Sequence, residues 1–311
     1  MKILNDIDSA KGLCANSVIT IGNFDGVHIG HQALFHETIM KADAIGGTSV
    51  AMTFEPHPIR LLNIGTPPPL ITLYEQKVEL ISKAGLDFLI CVPFTREFAA
   101  ISAEAFVEDI LIKKIDMKAI VVGEDYSYGR NRAGNLNTLK ADAARFGFQI
   151  IVVPGIPFAG ASMERISSTR IRELVMEGNM LESRKLLGRH YQVRGTVVTG
   201  RNRGGKLLGF PTANISLQDE LRPKNGVYAV TVECLDHLFK GVANIGYSPT
   251  FDDNQFTVEV HLLDFKGDLY QKKIRVNFID RIRDEIKFSG IKELSDQIRK
   301  DIDRARNMIA L

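Results

Sequence analysis

Cysteine is sparse in this chain, and the three present, Cys14, Cys91 and Cys234, lie too far apart to form a metal-ligand or redox spacing. They read as buried or incidental thiols of a reducing compartment. Charge of one sign is lacking as well. The 39 Lys and Arg against 37 Asp and Glu leave a formal net charge of +2, which demands neither a nucleic acid nor a membrane as partner. No apolar run approaches the roughly 18 residues of a membrane span. The segment from Met1 carries Lys2, Asp6, Asp8 and Lys11 where a signal peptide needs an apolar run. Low-complexity tracts and internal repeats are absent. The expectation is a cytoplasmic globular protein, with no handle on its oligomeric state.

What is present is an ordinary globular composition, 45% hydrophobic and 24% charged, over 311 residues. That length accommodates two domains with buried cores. The first half alternates short β-branched runs with helical patterns. Strands are expected at Val18–Ile21, Thr48–Phe54, Phe88–Val92, Ala119–Val122 and Gln149–Val153. Helices are expected at about His31–Ile45, Glu75–Lys83, Ala103–Lys113 and Leu136–Phe146. Nearly continuous apolar strands between helices predict a doubly wound, Rossmann-like α/β domain with a parallel sheet. Ligands on such sheets bind beyond the strand C-terminal ends, where strand order switches.

After Ile166 the pattern changes. Two short helices are expected from Ser168 to Leu187, separated by Gly178-Asn179. From Tyr191 the chain turns rich in Val, Thr, Ile and Phe, with strands at Tyr191–Thr199, Gly226–Cys234, Leu238–Ile245, Thr257–Leu263 and Lys273–Phe278. This spacing predicts a small antiparallel β-barrel or sandwich. An amphipathic C-terminal helix, Ile291–Ile309, is placed to cover it.

The segment Gly22-Asn23-Phe24-Asp25-Gly26-Val27-His28-Ile29-Gly30-His31 follows the first strand and opens a helix. A helix N-terminus offers N–H groups and partial positive charge to a phosphate, and glycines let the backbone approach closely. His28 and His31, three apart, can face one way and donate to charge developing on a phosphate. The same spacing also fits a helix cap with two surface histidines. Farther along, Ser167, Ser168 and Thr169 precede Arg170 and Arg172 at a helix start. Hydroxyls and guanidiniums there suit phosphate oxygens, or else form an ordinary N-cap with solvated arginines.

A second basic, glycine-rich stretch spaces Gly200, Gly204, Gly205 and Gly209 among Arg201, Arg203 and Lys206. Such a loop can wrap phosphates with its N–H groups. It lacks the Gly-Lys-Ser/Thr ending of a Walker A loop, and it also fits a solvated hairpin. Gly209-Phe210-Pro211-Thr212-Ala213-Asn214 follows directly. On the strand Thr257–Leu263, Val258, Val260 and Leu262 alternate with Glu259 and His261, so Glu259 lies on the polar face.

Taken together, Gly22–His31, Phe54-Glu55-Pro56-His57-Pro58, Val122-Gly123-Glu124-Asp125-Tyr126, Ile166–Arg172 and Gly209–Asn214 occur in an order that resembles the prokaryotic bifunctional riboflavin kinase/FAD synthetases. The resemblance spans nearly the whole chain. It implies an FMN adenylyltransferase over residues 1–186 and a riboflavin kinase over 187–311, with riboflavin, FMN and ATP as small-molecule substrates and Mg²⁺ as cofactor. In the first module it implies catalysis by His28 and His31. ATP would be bound there by Gly22, Asn23, Phe24, Asp25, Gly26, Gly30, Ser168, Thr169, Arg170 and Arg172, and FMN by His57, Asp125 and Tyr126. In the second it implies ATP binding by Gly205, Lys206, Gly209, Thr212 and Asn214, with Thr212 and Asn214 also holding the metal. Glu259 would be the catalytic base, and Arg281 and Arg283 would sit in a loop over the flavin. Three departures stand out: a glycine loop one residue longer, Tyr247 where a smaller residue is often found, and Gln271 where glycine is common. An adenylyltransferase whose barrel binds flavin without phosphorylating it, and a catalytically idle flavin sensor, are the competing readings.

Overall fold

The computed structural model describes residues 1–62, 66–158, 165–198, 209–217, 219–248 and 255–309. Contacts divide the chain into two compact units, Met1–Ser168 and Thr169–Leu311.

In the first unit six strands form one parallel sheet: β1 (Lys2–Leu4), β2 (Ser17–Ile21), β3 (Ser49–Glu55), β4 (Phe88–Pro93), β5 (Met117–Gly123) and β6 (Gln149–Val153), in the order β1-β4-β3-β2-β5-β6. Every residue of β2 is buried. It lies between β3 and β5 with helices covering both faces, which is why its sequence, Ser-Val-Ile-Thr-Ile, carries no charged or bulky polar residue on either face. The chain leaves β2 toward β3 and β4 on one side and returns through β5 and β6 on the other. Strand order therefore reverses between β2 and β5, and the loops after those two strands border the crevice where such sheets bind ligands.

Helix α1 (Ile29–Ala44) follows β2 and starts two residues earlier than its apolar pattern suggests, because His28 caps it. Helices α2 (Pro58–Leu62) and α3 (Tyr74–Ser82) follow β3, and α4 (Arg96–Ala99) follows β4. The helix expected over 103–113 is a short α turn, α5 (Ala103–Ala105), running into a π-helical stretch, Phe106–Ile112. Its wider turn buries Phe106, Val107, Ile110 and Leu111 together. Helix α6 (Leu136–Phe146) has a reciprocal cap between Asn135 and Thr138 and ends on Gly147 in the left-handed conformation.

The second unit opens with α7 (Ser168–Glu177), all but its first residue, and α8 (Met180–Leu187), capped by Asn179. Six antiparallel strands then close into a barrel: β7 (Tyr191–Val198), β8 (Ala213–Ile215), β9 (Gly226–Cys234), β10 (His237–Ser248), β11 (Gln255–Leu262) and β12 (Lys273–Arg283), in the order β10-β11-β8-β7-β12-β9. The barrel is filled by Val193, Val230, Val232, Ala243, Ile245, Val258, Val260, Val276 and Phe278, each no more than 1% exposed. The short strand β8 was not anticipated, since three residues cannot display a period. Helix α9 (Ile291–Met308) lays Ala305 and the following Ile309 on Ala229 of the barrel wall, with Val242, Ile279 and Ile282 around them.

Candidate functional site

In the first unit the loop from Gly22 to His28 carries unusual backbone. Phe24, Gly26 and Val27 have φ of 48°, 84° and 41°. A positive φ in a β-branched valine is a true outlier, held only because its surroundings over-determine it. Those surroundings are visible. The Phe24 ring is 1% exposed and packs edge-on against Phe35 at 4.9 Å and His31 at 5.3 Å. The Asp25 carboxylate, 4% exposed, accepts from the N–H groups of Ile71 and Thr72 at 3.1 Å. The Thr72 hydroxyl also accepts from Gly26 N–H at 3.1 Å. Ser168 donates to the Asp25 carbonyl at 2.9 Å. The side chains of Phe24 and Asp25 are thus spent on shaping the loop.

His28 has extended backbone and its Nδ1 accepts from His31 N–H at 3.3 Å. An accepting Nδ1 is unprotonated, so a neutral His28 ring carries its proton on Nε2. The two imidazoles stack, with centroids 3.6 Å apart and planes 18° apart. Gly30 makes this possible: a Cβ there would come within 3.1 Å of the His28 ring. The expected histidine pair is therefore one stacked unit at a helix N-terminus, beside the strand-order switch.

The two other motifs of this unit also end strands of the sheet. After β3, His57 is 8% exposed and its Nδ1 accepts from Ile59 N–H at 3.3 Å. At the end of β3 itself, Lys77, only 5% exposed, donates to the Phe54 carbonyl at 3.3 Å and lies 3.8 Å from Glu55. Burial pulls the Lys77 ammonium below its ordinary pKa. After β5, Asp125 pairs with Arg165 at 2.7 Å on an exposed surface. Tyr126 turns inward, stacks on Tyr128 at 5.4 Å, and buries a hydroxyl that has no hydrogen-bond partner among the described residues. Burial pushes that phenol well above its usual pKa. Tyr126 is accordingly packed against the core.

Thr169, Arg170 and Arg172 fall in the second unit, in the first turns of α7, where Arg170 pairs with Glu173 at 2.9 Å.

In the barrel, register does what loops do in the first unit. Glu259 on β11 pairs directly with Asn214 on β8 and with Asn244 on β10. Paired residues across antiparallel strands share a face, so Asn214, Glu259 and Asn244 form one polar row. Thr212, Asn244, Glu259 and His261 line a cavity of about 450 Å³. Its far wall is apolar, made by Ile286 and Phe288 and by Ile291, Leu294, Ile298 and Ile302 of α9. A predominantly apolar pocket with a few convergent polar groups is the usual form of a small-molecule site.

Arg283 lines this cavity and Arg281 does not. Both are strand residues at the end of β12 rather than part of a loop, a correction to the sequence expectation. The Arg283 guanidinium grips Asp301 of α9, from Nε at 3.0 Å and Nη2 at 2.8 Å, and Nη1 donates to the Asp284 carbonyl. Arg281 donates to the Asn225 carbonyl and to Asp284, lies 6.0 Å over the Tyr228 ring, and crowds Gly178, where a Cβ would meet its Cδ at 2.7 Å. It fastens the turn before β9. Sequence reasoning missed Asn244, His261 and the apolar stripe of α9 as cavity residues. A lone asparagine between Ala243 and Ile245 in an apolar strand was the available signal for the first. Gly209 is exposed, with φ of 75°. Gly205 and Lys206 lie outside the described residues, as does the side chain of Tyr247.

The family profile described as FAD synthetase matches residues 11–170, and the one described as riboflavin kinase matches residues 187–309. The chain belongs to the bifunctional riboflavin kinase/FMN adenylyltransferase family. Relatives of that name from Buchnera aphidicola (Schizaphis graminum strain) and Haemophilus influenzae are 37% and 36% identical to it. The match covers 97% of both chains in the first case and 98% of both in the second. The Escherichia coli K12 relative is 37% identical, over 94% of this chain and 93% of its own. A crystal structure of a protein from Streptococcus pneumoniae called a macrolide-efflux protein superposes with a TM-score of 0.87 at 33% identity, covering 98% of each chain. No described helix of this bifunctional family member is long and apolar enough to cross a membrane. The two profiles leave 171–186 between them, and this stretch is most of α7 and α8.

Proposed function

We propose that this chain performs both ATP-dependent steps from riboflavin to FAD, with the barrel phosphorylating riboflavin to FMN and the α/β module adenylylating FMN with release of pyrophosphate. The observation that carries this reading is the pairing, in one chain, of a stacked histidine pair at a sheet's switch point with a barrel cavity whose polar wall holds Thr212 and Glu259. The catalytic modules divide at 186/187. Both substrates of each step are small molecules, and a cytoplasmic location accords with ATP as co-substrate of both steps.

In the adenylyl transfer, a phosphate oxygen of FMN bonds to the α-phosphorus of ATP and the bond to the bridging oxygen breaks, freeing pyrophosphate. His28, donating from Nε2, and His31 hold the charge that builds on the phosphate oxygens. The α1 N-terminus adds its N–H groups and dipole. His57 and Asp125 border the flavin end, and Ser168, Thr169, Arg170 and Arg172 assist at the phosphates.

In the kinase step, Glu259 orients the ribityl hydroxyl and accepts its proton as the oxygen attacks the γ-phosphorus and ADP departs. Mg²⁺ fits the donor set. Thr212 and Asn214 offer hard oxygen atoms, while among the described residues no group of three or more His, Cys, Asp and Glu could hold a metal. Few protein oxygens suit an ion whose other ligands come with the nucleotide, where it neutralises phosphate charge. Gly205, Lys206 and Gly209 contribute on the ATP side, and Arg283 braces the flavin wall through α9.

The test is to incubate the purified chain with ATP, Mg²⁺ and either riboflavin or FMN, and to resolve the flavins by chromatography. Riboflavin should yield FMN and then FAD. Product from FMN alone would reduce the barrel to a flavin-binding module, and no product from either would end both enzyme readings.

A further inference from the structure

We propose that His261 is a positioning residue of the kinase site, whose imidazole fixes the Pro211–Thr212 peptide and so presents the Thr212 hydroxyl opposite Glu259. The inference rests on the reading of Thr212 and Glu259 given above. It starts from a hydrogen bond which that reading does not use: His261 Nδ1 lies 2.8 Å from the Pro211 carbonyl oxygen. A carbonyl only accepts, so Nδ1 carries the proton.

The geometry makes this bond more than a surface contact. The β8–β11 ladder pairs Val258 with Ile215, Glu259 with Asn214 and Val260 with Ala213. Continuing that register places His261 opposite Thr212, one step past the last ladder pair. His261 and Glu259 are two apart on one strand and so share a face. Both line the cavity that Thr212 lines. The Phe210 ring meets the imidazole edge-on, with centroids 5.7 Å apart and planes at 89°, which holds the ring from the other side.

The consequence follows from backbone mechanics. A proline ring fixes φ, and a planar peptide ties the carbonyl direction to ψ. With φ set by its ring and its carbonyl held by His261, Pro211 keeps no soft dihedral. Thr212 is then bracketed, between an immobilised peptide before it and Ala213, locked to Val260, after it. Thr212 itself is exposed and outside any strand, so without the histidine nothing described on this side would hold it.

The test compares three variants of the full chain. The amide nitrogen of asparagine can occupy the place of Nδ1, so His261→Asn retains the donor. His261→Gln places its amide where Nε2 was, and His261→Phe keeps the ring without a donor. The loss of one such hydrogen bond should raise the KM for MgATP in riboflavin phosphorylation by about three- to tenfold in the Phe and Gln variants, with Asn near wild type. Riboflavin binding in the absence of ATP, read by flavin fluorescence, should stay within about twofold and reports that the barrel is folded. In a Thr212→Ala background, His261→Phe should cost nothing further, because both act through one contact. Phe and Gln variants with wild-type KM, an Asn variant as impaired as they are, or losses that add to that of Thr212→Ala would each overturn the proposal. If His261→Phe fails to fold, the Asn and Gln pair decides alone. A Thr212→Ala enzyme with unchanged MgATP kinetics would instead sink the Thr212 reading, and the proposal with it.

Discussion

The two units build sites for the same co-substrate, ATP, with opposite constructions. In Met1–Ser168 the candidate site is a loop: three residues of positive φ, Phe24, Gly26 and Val27, in a stretch pinned by the buried Phe24 and Asp25, precede a stacked histidine pair at a helix N-terminus. In the barrel it is a register: Asn214, Glu259 and Asn244 come from three strands and meet because their ladders align them. A loop-built site concentrates its requirements in one short stretch of sequence. A register-built site scatters them, and any one residue looks like ordinary polar-face alternation.

The strongest way to break this comparison is to disable each site in turn. His28→Ala should cut FAD formation from FMN by about a hundredfold or more, the usual loss when a donor to transition-state charge is removed. It should leave riboflavin phosphorylation intact. Glu259→Ala should do the reverse, with a loss on the order of 10²–10⁴ for a missing general base. Both activities are followed in one chromatographic assay. Two folded variants that each lose both activities would mean the sites are not separate.

The next prediction concerns how the barrel site holds its apolar wall. Asp301 is 2% exposed and Arg283 14% exposed at the side chain, joined by three bonds across α9 and β12. Gln297 adds a fourth contact to the carboxylate at 2.8 Å. Removing one partner of a buried pair strands the other charge, which costs about 3–5 kcal/mol. Asp301→Ala should therefore lower barrel stability by that much in urea unfolding and weaken riboflavin binding, while FAD formation from FMN persists below the transition. A loss under about 1 kcal/mol would class the pair with surface ion pairs and detach α9 from the site.

These contrasts explain what was legible in the sequence. The parallel sheet was, because β2, β3 and β5 are largely buried on both faces and so read as nearly continuous apolar runs. The barrel and α9 were legible from alternation and from a helical apolar stripe. Strands β1 and β8 were not, being three residues each. The loop site announced itself, glycines and histidines together, although nothing in the string revealed that Phe24 and Asp25 face inward. Thr212 and Glu259 were legible only through resemblance. Asn244 and His261 showed only as polar residues on strands, since their meaning as cavity residues is a pairing partner 15 or 50 residues away rather than a neighbour.

The smallest effect sharpens the contrast in backbone. Gln271 stands where glycine is common in the family and has φ of 60°, in a turn closed by Lys272 N–H to the Leu269 carbonyl at 2.9 Å. A left-handed conformation costs an ordinary residue roughly 1–2 kcal/mol, and glycine escapes that cost. Glycine also loses about 0.5–1 kcal/mol more backbone entropy on folding. The difference favours the substitution, so Gln271→Gly should stabilise the barrel by about 0.5 kcal/mol in urea unfolding, with both activities unchanged. Phe24 and Val27 share the same backbone region but differ in kind, because their side chains are buried as well. Glycine at Val27 relieves φ while emptying a core position, and removing two or three buried methyl groups costs more than the relief returns. Val27→Gly should thus destabilise the first unit and impair FAD formation. Opposite signs for the same substitution at the two positions would mean that strain in the loop is held by packing for the sake of the site, whereas strain in the barrel turn is incidental. Matching signs would remove that distinction.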